Sequence, residues 1–152
     1  MGLIFSNIDK DDLVDCSELY ITTFSESPWN EKWRIDDILE RLSGFFINPK
    51  SIAIKAVRNG CICGFLFGKI QQYNGATCYD LEEICVSASI QRNGIGKGLM
   101  NKLEKILIEK KVSKIYLITQ RDSVPSSFYA SLSFNEIPKL MVMEKTLYKA
   151  AN

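Results

Sequence analysis

Two Asn-Gly dipeptides, Asn59-Gly60 and Asn74-Gly75, constrain the fold of this chain more than any other feature. A two-residue hairpin turn that follows the twist of its strands needs positive φ at both central positions, which asparagine and glycine tolerate best. Residues 51–57 and 61–70, on either side of the first dipeptide, are strand-like. The second dipeptide has looser flanks and leads into a strand over 78–86. These segments predict an antiparallel meander.

After Ile90 the period changes from strand to helix. Ile95, Leu99, Leu103, Ile106 and Leu107 share one helix face, with Lys97, Lys102, Lys105 and Glu109 largely outside it. The apolar run 114–119 (KIYLIT) reads as a buried strand, so the helix becomes the crossover between two parallel strands. Ahead of the meander, 3–8 alternates weakly like an edge strand. Asp9 is placed to cap a helix whose buried side is Leu13, Cys16, Tyr20 and Phe24. Ile35, Ile38, Leu39 and Leu42 mark a second, shorter helix. A short helix near 126–132 precedes two final strands near 134–137 and 140–147. The expectation is a single α/β (α+β) domain over 1–152, with a mixed, mostly antiparallel sheet of six to seven strands and about four helices.

Between strand and helix lies Gln91-Arg92-Asn93-Gly94-Ile95-Gly96-Lys97-Gly98. Free amides at a helix start, helped by the helix dipole, make such a turn a seat for an anion. Gly94 and Gly96 let the main chain approach closely, and Arg92 and Lys97 add positive charge. A dinucleotide-binding turn would want its third glycine later than Gly98, and a nucleotide P-loop would want a hydroxyl after Lys97. A plain glycine-rich helix start also satisfies the pattern.

Composition narrows the chemistry. Histidine is absent from the 152 residues, which removes histidine bases, histidine-dependent triads and the common catalytic zinc sites. Five cysteines (Cys16, Cys61, Cys63, Cys78, Cys85) include no CxxC pair, so neither a disulfide framework nor a metal site is expected. Cys61 and Cys63, two apart in a strand, should share one face. A net charge of +1, with the lysines of 97–111 interleaved with acids, argues against a nucleic-acid partner. No apolar run approaches the ~20 residues of a membrane span, and residues 1–9 lack the features of a signal peptide. Membrane partners are therefore not expected, and the chain is expected to be cytoplasmic. Exposed sheet edges are compatible with a homodimer.

Gln91-x-x-Gly94-x-Gly96 resembles the Q/R-x-x-G-x-G/A signature of the GNAT superfamily, the acyl-CoA-dependent N-acetyltransferases. The preceding Leu81-Glu82-Glu83-Ile84-Cys85-Val86 is similar to the family's fourth strand. Phe128-Tyr129-Ala130-Ser131-Leu132-Ser133-Phe134 resembles its FYxxxGF segment, and Met143-Glu144-Lys145-Thr146-Leu147 its closing strand. Order and spacing agree from about residue 50 to 147. Ser133 departs from the usual glycine. Asp122 stands where many members have an asparagine that bonds the pantetheine arm, and an ionised carboxylate cannot donate that bond.

The resemblance implies fourth and fifth strands that splay apart around acetyl-CoA, with no metal. The diphosphate would sit on the amides of the segment Gln91, Arg92, Asn93, Gly94, Ile95, Gly96 and Lys97. The pantetheine would pair with main-chain groups of Ile84, Cys85 and Val86, near Asp122, and an amide there would hold the oxyanion. Acetyl transfer to an amine then needs a base, for which Glu82 stands first, with Glu83 and Asp80 behind it. An acid for the leaving thiolate is also needed, and the resemblance points to Tyr129. Trp29, Glu31, Trp33 and Glu83 would contact the acceptor amine. Direct transfer in a ternary complex is expected, because Cys85 has no activating partner. The alternative is a non-catalytic acyl-CoA sensor on the same fold.

Overall fold

Both Asn-Gly dipeptides form tight turns, with φ of 52° at Asn59, 76° at Gly60, 50° at Asn74 and 82° at Gly75. Four positive values mark the mirror-image turn that continues strand twist. The turns join β2 (Ser51–Arg58), β3 (Cys61–Tyr73) and β4 (Ala76–Val86). The second turn is as tight as the first, so β3 and β4 both reach closer to it than their flanking residues suggest. The computed structural model describes residues 2–91 and 93–150, and the chain forms two compact units, residues 1–118 and 119–152.

In the first unit β1 (Ile4–Asn7) pairs antiparallel with β2, and β5 (Lys114–Tyr116) pairs parallel with β4. The sheet order is β1-β2-β3-β4-β5. One face is covered by α1 (Leu13–Ser25) and α2 (Ile35–Phe46). There Leu13, Cys16, Tyr20, Ile38 and Leu42 pack on Phe65, Phe67 and Cys85. Asp9 opens this region through a short 3-10 turn, its N–H donating to the Asp12 carboxylate at 2.7 Å.

The other face carries α3 (Ile95–Glu109), which buries Ile95, Leu99, Met100, Leu103 and Leu107. Gly98 is the contact point with the sheet, since a methyl there would stand 2.3 Å from the Phe5 ring. That glycine serves packing. The cysteine pair of β3 splits, Cys61 being exposed and Cys63 buried. A register shift leaves Cys63 as an extra residue between the pairs Ala56↔Gly64 and Val57↔Ile62, which breaks the simple alternation.

The second unit contains α4 (Val124–Ser131). Ser123 and Ser126 cap it reciprocally: the Ser123 hydroxyl accepts from the Ser126 N–H at 3.1 Å, and the Ser126 hydroxyl from the Ser123 N–H at 2.9 Å. The strands expected near 134–137 and 140–147 do not form among the described residues, so the sheet has five strands rather than six or seven. Leu140, Met141, Val142 and Met143 are exposed, with no ladder partner among the described residues. An apolar run becomes a strand only where a neighbour accepts and donates its main-chain bonds, and Pro138 removes one donor between the two segments.

Candidate active site

The two edges of β4 are used unequally. Along one edge it pairs with β3 throughout, from Tyr73↔Ala76 to Gly64↔Val86. Along the other, β5 reaches only Cys78, Tyr79 and Asp80 among the described residues. From Leu81 onward β4 has an open edge there, with no strand partner among the described residues. Ser87 N–H donates to the Cys63 carbonyl at 2.9 Å. Antiparallel alternation from that bond turns the main-chain groups of Cys85 toward Phe65, and those of Ile84 and Val86 toward the open edge. Cys85 was expected to share the role of its two neighbours, but its backbone is committed to the ladder. The Val86 carbonyl already accepts from the Gln91 side-chain amide at 3.0 Å.

At the start of this open stretch the register shifts. Phe67 pairs with Glu83, and the next residue, Gly68, pairs with Leu81, so Glu82 is the extra residue of a β-bulge. Simple alternation along β4 would put Glu82 on the side of Ile84 and Val86. Instead its carboxylate lies 3.9 Å from Lys69 Nζ and lines a cavity of about 610 Å³ with Asp37, Glu40, Arg41 and Phe45. Glu83 meets the same helix, accepting from Arg41 Nε at 3.2 Å. The bulge thus turns two consecutive carboxylates toward α2. Gly68 permits it, because a methyl there would stand 2.3 Å from the Asp80 carbonyl and from the Tyr79 ring. Tyr79 passes over this glycine to donate its hydroxyl to the Ile52 carbonyl at 2.8 Å.

The two carboxylates differ in environment. Glu82 keeps 34% of its side chain exposed and Glu83 only 13%. Burial pushes Glu83 up to about 7, opposed by the Arg41 guanidinium and a hydrogen bond from the Tyr20 hydroxyl and reinforced by the charge of Glu31. A carboxyl titrating near 7 is matched to general-base work at neutral pH. Burial also pushes the Cys16 and Cys85 thiols up to about 12, so neither supplies a thiolate nucleophile.

The segment between α1 and α2 folds back onto α1. Trp33 meets Tyr20 edge-on at 5.4 Å, and Trp29 meets Phe24 at 5.0 Å. Trp33 Nε1 donates to Glu31 at 2.8 Å, and the ring packs against the core. Both tryptophans therefore anchor this segment, and Trp33, Glu31 and Glu83 converge on Tyr20.

Gly94 is the N-cap of α3, with φ of 79°. The first turn closes where Gly98 N–H donates to the Gly94 carbonyl at 2.9 Å. The amides of Gly94, Ile95, Gly96 and Lys97 precede that bond at the helix end, and no side chain among the described residues caps them. Asn93 turns back, its Nδ2 donating to the Ile90 carbonyl at 3.2 Å. Arg92 lies outside the described residues.

A β4–β5 pairing that stops at Asp80 and a glycine-rich helix start are accompanied by a match to the acetyltransferase (GNAT) family over residues 13–134. The chain belongs to the GNAT family. Solved structures agree in fold. A possible acetyltransferase from Clostridium difficile 630 superposes with a TM-score of 0.81 at 12% identity, over 97% of this chain and 100% of that one. The aminoglycoside acetyltransferase AAC(6')-Iy, in complex with a bisubstrate analogue of coenzyme A and acetylneamine, gives 0.75 at 18%, over 96% and 99%. A ribosomal-protein-alanine N-acetyltransferase from Brucella melitensis biovar Abortus 2308 gives 0.75 at 15%, over 95% and 99%.

In this GNAT chain the FYxxxGF-like segment forms the end of α4 and the turn after it. Tyr129 is buried, its ring 5.3 Å from Phe128 and 5.5 Å from Phe134. Ser133 adopts φ of 70°, the left-handed value for which the usual glycine is suited. Asp122 is also left-handed, at 54°. Tyr20, Arg41 and Lys69 were not among the residues expected at the site. Arg41 left one faint trace in the sequence: it is a charge three residues after Ile38 and next to Leu42, on the border of the apolar face of α2.

Proposed function

We propose that this chain transfers the acetyl group of acetyl-CoA to a protonated primary alkylamine, with Glu83 as the group that takes the amine's proton. The observation carrying this reading is the largely buried Glu83 carboxylate beside the bulge, on the half of β4 that pairs with β3 alone among the described residues. Two features of the chain fit the coenzyme. The uncapped amides of Gly94 to Lys97 supply donors and dipole potential for a diphosphate. The open edge at Ile84 and Val86 offers the main-chain groups that an amide-bearing pantetheine arm would pair with.

An alkylamine is mostly protonated at neutral pH, its pKa being near ~10.4. Glu83 in its ionised form removes that proton, the nitrogen lone pair attacks the thioester carbon, and the carbon–sulfur bond breaks as the nitrogen sheds a second proton, which balances the one taken up by the departing thiolate. The resemblance assigns protonation of the departing thiolate to Tyr129, and that assignment is part of the proposal. Glu83 is preferred to Glu82 because Glu82 is more exposed and ion-paired with Lys69. Glu82, Asp37 and Glu40 instead give the neighbouring cavity an acidic lining for a cationic acceptor.

The test is release of free coenzyme A thiol across a panel of diamines, amino acids, aminoglycosides and peptides, followed by pH profiles of the best substrate. Glu83→Gln should lower kcat/KM by about 10²-fold or more and remove the limb near pH 7. Glu82→Gln should mainly raise the acceptor KM. An unchanged limb in Glu83→Gln would eliminate Glu83 as base. Binding of acetyl-CoA with no turnover on any amine would favour the sensor reading.

A further inference from the structure

Arg41 is the cation seated on Glu83. Its Nε lies 3.2 Å from Glu83 Oε2, and its guanidinium sits 4.9 Å from the centre of the Phe45 ring. A cation over an aromatic face and against a buried carboxylate is the arrangement expected for a bound alkylammonium. The side chain is nevertheless 41% exposed and lines the cavity with Asp37, which lies one helical turn earlier on α2. Residues four apart on a helix are neighbours, so the guanidinium has a second carboxylate within reach of a side-chain rotation.

We propose that Arg41 is a movable counter-ion, seated on Glu83 while the acceptor site is empty and passing to Asp37 when a substrate ammonium replaces it. This rests on the reading of Glu83 as base. The groups acting on Glu83 are Tyr20 from α1, Arg41 from α2, Glu31 from the segment between those helices and Cys85 along β4, while Glu82 beside it is paired with Lys69 of β3, which lines the same cavity as Arg41. Arg41 is the cation in contact with Glu83, so it favours the ionised carboxylate between turnovers. It also makes the acceptor compete with a resident cation. Arg41 is thus a positioning residue, and the device favours ammonium-bearing alkylamines over uncharged arylamines.

The experiment measures kcat/KM and acceptor KM against pH for the wild type, Arg41→Gln, Arg41→Lys, Asp37→Asn and Glu83→Gln, with acetyl-CoA KM and melting temperature as controls. In Arg41→Gln the acid limb should move up by about one unit, because the lowering cation is gone. At pH 9, where Glu83 is ionised in both proteins, its alkylamine KM should fall about five-fold as the competitor is removed. Arg41→Lys should restore the limb, and Asp37→Asn should raise the alkylamine KM by trapping Arg41 on Glu83. An Arg41→Gln enzyme with an unshifted limb and an unchanged KM at pH 9 would overturn the proposal. If Glu83→Gln still loses its limb in that case, the base survives and only the counter-ion role falls. An intact limb in Glu83→Gln removes both.

Discussion

The two halves of β4 belong to one continuous strand and have different surroundings. Thr77 to Asp80 lie among strands on both sides, with β3 along one edge and β5 meeting Cys78, Tyr79 and Asp80 along the other. Leu81 to Val86 have β3 alone among the described residues, and that half holds the bulge, the buried acid and the open edge leading toward α3. The first half shows the strand with a neighbour along both edges. The second shows the site that arises when pairing stops part-way along a strand. A strand saturated on both edges has no main-chain groups to offer a ligand, and a half-paired strand has a row of them.

The division rests on Gly68, and replacing it is the most severe way to break the comparison. Gly68→Ala places a methyl against the Asp80 carbonyl and the Tyr79 ring, neither of which is the loose end of a flexible chain. The expected loss is about 3 kcal/mol, or roughly 10 °C in melting temperature. A variant melting with the wild type would mean that the bulge adapts and does not fix where the strand divides.

A second prediction sharpens the contrast through charge. Glu83 titrates near 4.5 when unfolded and at about 7 when folded, so between these values the folded protein binds the extra proton. Stability therefore falls as pH rises from about 4.5 to about 7, and it falls because ionisation is disfavoured in the buried state. The loss should be on the order of 2 kcal/mol, measured by denaturant unfolding at pH 5 and pH 8. Glu83→Gln should flatten the difference. If it does not, the second half of β4 stores no electrostatic strain at this residue.

How much of this was legible in the sequence follows the same division. The Asn-Gly turns, the amphipathic α3 and the glycine-rich turn are local patterns, and each forms where its chemistry places it. The GNAT resemblance ran through the same local segments. The bulge is not local: Glu82 and Glu83 both face α2 because of a shift in register against β3, which alternation along β4 alone cannot show. The Arg41 contact spans 42 positions in the chain. The final strands were misread for the complementary reason. The 140–147 segment has strand-like apolar content, but a strand is a relation between two segments, and its partner is not written in its own residues.

The smallest expected effect gives the finest comparison, since matched glycines flank the two ends of β4. Gly75 precedes it with φ of 82° and Gly94 follows it with φ of 79°, and a methyl on either would meet nothing within 4 Å. Alanine at each position therefore carries only the backbone cost of a left-handed residue, about 1–2 kcal/mol. The two variants should lose equal stability. They should differ in acetyl-CoA affinity, read by calorimetry. Gly75→Ala perturbs a turn next to the saturated half and should bind as the wild type does. Gly94→Ala strains the N-cap whose uncapped amides are proposed to meet the diphosphate, and its affinity should fall several-fold at the same cost in stability. Equal affinities would mean that the start of α3 is a glycine turn like any other, and that the open half of β4 holds the coenzyme without it.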